Sequence, residues 1–126
     1  MNKLPPRHVI AEQVRQALAE DIGTGDLTAT LVPDNDIVRT TLISREPAVV
    51  CGVAWVQEVF DQLDPDISID WLSCDGDDVI NGQAWCTIQG PSRGILTGER
   101  TALNFLQLLS GTATATKRLV DQLKGT

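Results

Sequence analysis

The sequence predicts an α+β fold, a small sandwich-like mixed domain that closes on a long helix. Three observations carry this. Apolar residues recur at helical spacing near residues 8–19, 53–63 and 98–123; β-branched or alternating runs of strand length lie between them; and Gly, Pro and Asp clusters punctuate the runs. The 126 residues, 42% hydrophobic and 21% charged, suffice for one domain with a core of its own, so residues 1–126 read as a single domain.

The first helix is expected over residues 8–19, where Ile10, Val14, Ala17 and Leu18 share a face behind Pro5 and Pro6. In EDIGTGDLTATLVP, Gly23 and Gly25 interrupt that period and Asp26 and Thr28 offer side-chain bonds to the backbone. A tight loop and a short segment ending at Pro33 should follow. A metal loop would need acidic residues at a spacing that Glu20, Asp21 and Asp26 do not have, so turn chemistry is the simpler reading. DIVRTTLISRE is a strand by its β-branched content, and PAVVCG continues as a second.

After Gly52, the spacing of Val53, Val56, Phe60 and Leu63 marks the second helix. ISIDWL and AWCTIQG are strands on either side of SCDGDD, which has turn composition. The last helix is expected from about residue 98 to 123, roughly 38 Å long, with Thr97 as N-cap and Gly125 just past its end. Ala102, Phe105, Leu106 and Leu109 make one stripe, while Leu103, Leu108 and Ala115 lie off it. A helix apolar on several sides needs neighbours on several sides, which implies another subunit or further sequence.

Ten Lys and Arg against seventeen Asp and Glu leave a formal charge of −7 and a pI near 4.4. Sequence-wide attraction to nucleic acid or to an anionic membrane is therefore disfavoured, and any anionic ligand must be held locally. No apolar run approaches the roughly 18 residues needed to span a bilayer, and a cytoplasmic location is expected. Cys51, Cys74 and Cys86 have neither a disulfide framework nor zinc-ligand spacing, so they read as reduced, partly buried thiols.

Candidate chemistry narrows to Arg100. It follows Thr97, Gly98 and Glu99 in what reads as the first turn of the last helix, where the macrodipole favours Glu99 and disfavours a cation. Neither helical neighbour, Thr97 and Leu96 before it or Leu103 and Asn104 after it, can neutralise the charge. Free helix N–H groups beside a guanidinium would make a carboxylate or phosphate site. The plainer alternative is an arginine paired with a distant acid or turned to water. His8, the one histidine, has no evident nucleophile partner; Trp55, Trp71 and Trp85 lie on a helix and two strands and read as core or interface residues. No catalytic residue and no cofactor or metal site is expected in this chain.

Three stretches, EDIGTGDLTATLV, REPAVVCGV and above all GILTGERTALNFLQLLSGTAT, resemble the N-terminal domain of quinolinate phosphoribosyltransferases, across essentially the whole chain. The resemblance implies an enzyme that converts quinolinate and phosphoribosyl pyrophosphate to nicotinate mononucleotide, CO2 and pyrophosphate in NAD biosynthesis, with Mg²⁺ on the donor. It implies an α+β domain ahead of an α/β barrel that is absent here, so the chain alone should be inactive. It also implies a homodimer or higher oligomer, in which the arginine of ERTALN, here Arg100, binds a quinolinate carboxylate in the partner's active site. The alternatives are a related nicotinate or molybdenum-transport-associated phosphoribosyltransferase-like protein, or a non-catalytic interaction module that docks through the long helix.

Overall fold

A computed structural model describes residues 4–30 and 36–125, the side chains of 23–30 excepted. Its elements run α1 (Arg7–Thr30), β1 (Ile37–Ile43), β2 (Ala48–Val49), α2 (Val53–Leu63), β3 (Ser68–Trp71), β4 (Asp78–Val79), β5 (Ala84–Pro91) and α3 (Ser92–Lys124). The α+β class and the order of its helices and longer strands follow the expectation. β4 is an addition, two residues that pair antiparallel with β2 and are too short to show alternation.

β1, β5 and β3 form an antiparallel sheet with β5 in the middle. In β1, Val38, Thr40 and Leu42 alternate with exposed Ile37, Arg39, Thr41 and Ile43, the signature of a sheet with one covered face. The helices supply the cover. Val14 of α1, Val56, Val59 and Phe60 of α2, Ile88 of β5 and Ala102 and Leu106 of α3 are fully buried in a shared core. Trp55 is buried with its indole N–H donating to Gln13 on α1, so an apolar body and a satisfied polar end both tie α2 to α1.

Two boundaries differ from expectation. α1 does not end before Gly23; it continues to Thr30 through both glycines. Each glycine costs the helix about 1 kcal/mol relative to alanine, but extension adds a backbone bond per residue, and Ile22 packs on the core before the glycines begin. Residues 31–33 of the segment expected to end at Pro33, and the side-chain bonds expected of Asp26 and Thr28, lie outside the described residues.

α3 begins at Ser92, directly after Pro91, six residues before the expected start at 98. Gly94 and Gly98, together with Thr97, read as helix punctuation in sequence; in space the two glycines are points of close approach. A Cβ on Gly94 would stand 2.8 Å from Ile67 Cδ1, and one on Gly98 would stand 2.6 Å from Leu63 Cδ1 and 2.7 Å from Phe60 Cε1. They are small because α2 and the residues after it press against α3. Thr97 does not cap the helix; its hydroxyl donates to the Arg93 carbonyl one turn back.

The far half of α3 leaves this core. Its buried residues stop at Ser110, and Leu108, Leu119 and Leu123 are 69%, 56% and 67% exposed. That apolar face is left uncovered by the described residues. No helix among them is long and apolar enough to cross a membrane.

Candidate functional site

The 33-residue α3 is the scaffold on which Arg100 sits. With the helix starting at Ser92, Arg100 is two turns inside, beyond the free N–H groups and beyond the reach of the terminal partial charge. The expected anion site built from helix N–H groups is therefore not present. What the structure offers is a guanidinium on the side of a rigid helix. Arg100 is exposed, and no carboxylate among the described residues pairs with it, so the distant-acid alternative finds no partner there.

At 3.6 residues per turn, Arg100, Asn104, Gln107 and Arg118 return to one exposed flank of α3, with Arg100 and Arg118 about 27 Å apart along the axis. Beside this flank runs a groove of about 510 Å³ between α3 and residues 41–48. Arg45 and Glu46 stand on one wall, Glu99, Gln107 and Arg118 on the other, and buried Trp85 contributes to the lining. Arg45 and Arg118 likewise have no acidic partner among the described residues. The flank thus offers guanidinium groups that form no ion pair among the described residues, in a groove that Glu46 and Glu99 also line.

Further contacts position α3 and α2, and sequence reading did not find them. Thr101, 1% exposed, donates its hydroxyl to the Asp21 carboxylate on α1. Ser110 both accepts from the Cys51 N–H at 2.9 Å and donates to the Cys51 carbonyl at 3.0 Å, and Thr114 accepts from the Val49 N–H at 2.9 Å. Asp75, in the SCDGDD turn, accepts from the N–H groups of Gly52 and Val53 and so caps α2 from 22 to 23 residues away. Gly52 needs its φ of 120° to enter that helix, a conformation that favours glycine. The hydroxyl spacing in SGTAT was the available signal for the second contact; for the first there was none, because Asp21 and Thr101 are 80 residues apart.

The other flagged residues stay apart from α3's exposed flank. His8 is exposed at the start of α1, where Val9 and Ile10 donate to the Pro6 carbonyl. Trp71 and Trp85 lie in the sheet, and among the described residues no three His, Cys, Asp or Glu side chains converge as a metal site would require. All three cysteines are free. Burial pushes the Cys86 thiol up to about 12, and burial followed by the nearby Asp75 charge raises Cys51. Alkylation at pH 8 is therefore expected on exposed Cys74 first and on half-buried Cys51 slowly, with Cys86 unmodified until the chain unfolds; peptide mass mapping reads the order.

Residues 26–110 match the family described as Quinolinate phosphoribosyl transferase, N-terminal domain. Over 122 residues the chain is 36% identical to the chloroplastic carboxylating nicotinate-nucleotide pyrophosphorylase of Arabidopsis thaliana, covering 93% of this chain and 35% of that protein. A probable carboxylating nicotinate-nucleotide pyrophosphorylase of Bacillus subtilis is 35% identical over 101 residues, covering 80% of this chain and again 35% of the relative. Among solved structures, the nicotinate-nucleotide pyrophosphorylase from Francisella tularensis superposes with a TM-score of 0.89 at 45% identity, covering 95% of this chain and 43% of that one. The chain thus spans about a third of the length of these curated relatives.

Proposed function

The chain belongs to the family of quinolinate phosphoribosyltransferase N-terminal domains, and from that premise we propose that residues 1–126 serve as the substrate-binding and dimerisation domain of such an enzyme. The complete enzyme would join quinolinate to phosphoribosyl pyrophosphate, releasing CO2 and pyrophosphate and forming nicotinate mononucleotide for NAD biosynthesis. The relatives' printed names and the family match support this reading. A barrel domain would carry the catalytic groups, and the 126-residue chain would be inactive alone.

Arg100 is the residue this chain would contribute. Its exposed guanidinium, without a carboxylate among the described residues and fixed on a buried-backed helix, is the observation that supports the role. Quinolinate carries two carboxylates, and the planar fork of an arginine suits one of them in a bidentate contact. In a homodimer the partner's barrel would close over α3's exposed flank and exclude water, so the same contact would gain strength and fix the ring orientation. The uncovered Leu108, Leu119 and Leu123 support an apolar docking face on that helix.

Mg²⁺ would travel with the pyrophosphate of the donor. We place the protein in the cytoplasm, a reading supported by three uncrosslinked cysteines.

The test is steady-state kinetics on the full-length enzyme carrying this domain. Arg100→Ala should raise the quinolinate KM at least tenfold, about 1.4 kcal/mol or more, with the KM for phosphoribosyl pyrophosphate little changed. Arg100→Lys should fall between, since a single ammonium cannot replace the fork. An unchanged quinolinate KM in Arg100→Ala overturns the assignment.

A further inference from the structure

EDIGTGDLT and ERTALN are two of the most distinctive stretches of the sequence, and the proposed role of Arg100 uses only the second. In space they meet. Asp21, half-buried near the middle of α1, accepts the hydroxyl of Thr101, and Thr101 is the residue next to Arg100 on α3.

Consecutive residues on a helix point about 100° apart. Holding Thr101 inward at 1% exposure, with its one hydroxyl proton committed to Asp21, therefore fixes the rotation of α3 about its own axis at that position. Arg100 is then directed outward along the flank it shares with Asn104, Gln107 and Arg118. Close packing of Gly98 on Leu63 and Phe60 limits how far α3 can shift toward α2, but Gly98 and Ala102 present nothing longer than a methyl to key its rotation at this turn. A directional, charge-assisted bond supplies the angular constraint that small residues lack.

The geometry points to Asp21 and Thr101 as positioning residues for Arg100, acting through the backbone of α3 and not by contact with substrate. This rests on the reading of Arg100 as a ligand of a quinolinate carboxylate. A bidentate contact to a planar carboxylate tolerates only about 10–20° of misorientation, so a small rotation of α3 weakens it while leaving the fold intact.

The experiment compares Thr101→Val, which keeps the shape and removes the hydroxyl, with Thr101→Ser, which keeps the hydroxyl, each with and without Arg100→Ala in the full-length enzyme. Thr101→Val is expected to raise the quinolinate KM about fivefold, with the KM for phosphoribosyl pyrophosphate unchanged, and Thr101→Ser to stay near wild type. In the Arg100→Ala background Thr101→Val should add nothing. A Thr101→Val enzyme that melts at a lower temperature but keeps its quinolinate KM, or whose KM rises by the same factor with and without Arg100, overturns the inference. If Arg100→Ala itself leaves that KM unchanged, the carboxylate reading fails and this one with it; an effect of Arg100→Ala with none of Thr101→Val removes this one alone. Should Thr101→Val not fold, Asp21→Asn, which keeps an acceptor oxygen and loses the charge, carries the same comparison.

Discussion

Gly98→Leu is expected to cost more than about 3 kcal/mol and to leave little folded protein at 37 °C. The first atom of the new side chain is already at 2.6 Å from Leu63 Cδ1 and 2.7 Å from Phe60 Cε1, so three further carbons have nowhere to go between α2 and α3. Phe60 is fully buried and cannot swing aside without opening the core. Gly98→Ala separates the opposing effects. Alanine gains up to about 1 kcal/mol of helix propensity, while overpacking typically costs about 1–3 kcal/mol, so a small net loss is expected. Gly111 on the same helix is the control. It is exposed and a Cβ there meets nothing within 4 Å, so Gly111→Ala should stabilise the chain by about 0.5–1 kcal/mol. Thermal unfolding of the three variants should rank Gly111→Ala above wild type and Gly98→Leu last. A Gly98→Leu chain as stable as wild type would mean that α2 and α3 do not approach as described.

The same glycines explain why one boundary was legible in the sequence and another was not. α2 spans Val53–Leu63, where the apolar spacing of Val53, Val56, Phe60 and Leu63 placed it, because its face is made by large residues that report their own burial. The start of α3 was hidden, because its inner face there is made by Gly94 and Gly98, whose local meaning is a break and whose tertiary meaning is contact. Misplacing that start also misplaced Arg100 relative to the helix terminus. The lack of a helical ion partner for Arg100 was readable from its i±3 and i±4 neighbours. The Asp21–Thr101 bond was not readable at all. It depends on how α1 lies on α3, which no local pattern encodes.

Ser110→Ala is expected to destabilise the chain by about 2–3 kcal/mol, far more than loss of a hydroxyl at a surface helix position. Residues 49–52 are bonded on alternating sides, as an extended chain requires. Val50 and Gly52 bond to the turn residues Asp77, Gly76 and Asp75, and Val49 and Cys51 bond to α3. On the α3 side no strand is present, and side chains stand in for one. Ser110 and Thr114 are one helical turn apart, about 6 Å along the axis, which matches the roughly 6.6 Å between alternate residues of a strand. Ser110 is 2% exposed and serves both the N–H and the C=O of Cys51, so alanine leaves two backbone groups unpaired where water has poor access. Thr114→Val removes the bond accepted from the Val49 N–H and the one donated to the Ser110 carbonyl, at a half-buried position, and should cost about 1 kcal/mol, since the Ser110 carbonyl lies within the helix. Lys117, bonded to Asp78 at 2.9 Å, continues the seam to β4 at an exposed position. The loss of Ser110 should also register at Cys51, whose half-buried thiol would alkylate faster than in wild type once its backbone is released from α3. Urea unfolding together with the Cys51 alkylation rate tests both expectations. Unchanged stability with an unchanged rate would show that the hydroxyls of SGTAT do not hold this strand, and would leave the position of α3's far half to Lys117 and Asp78.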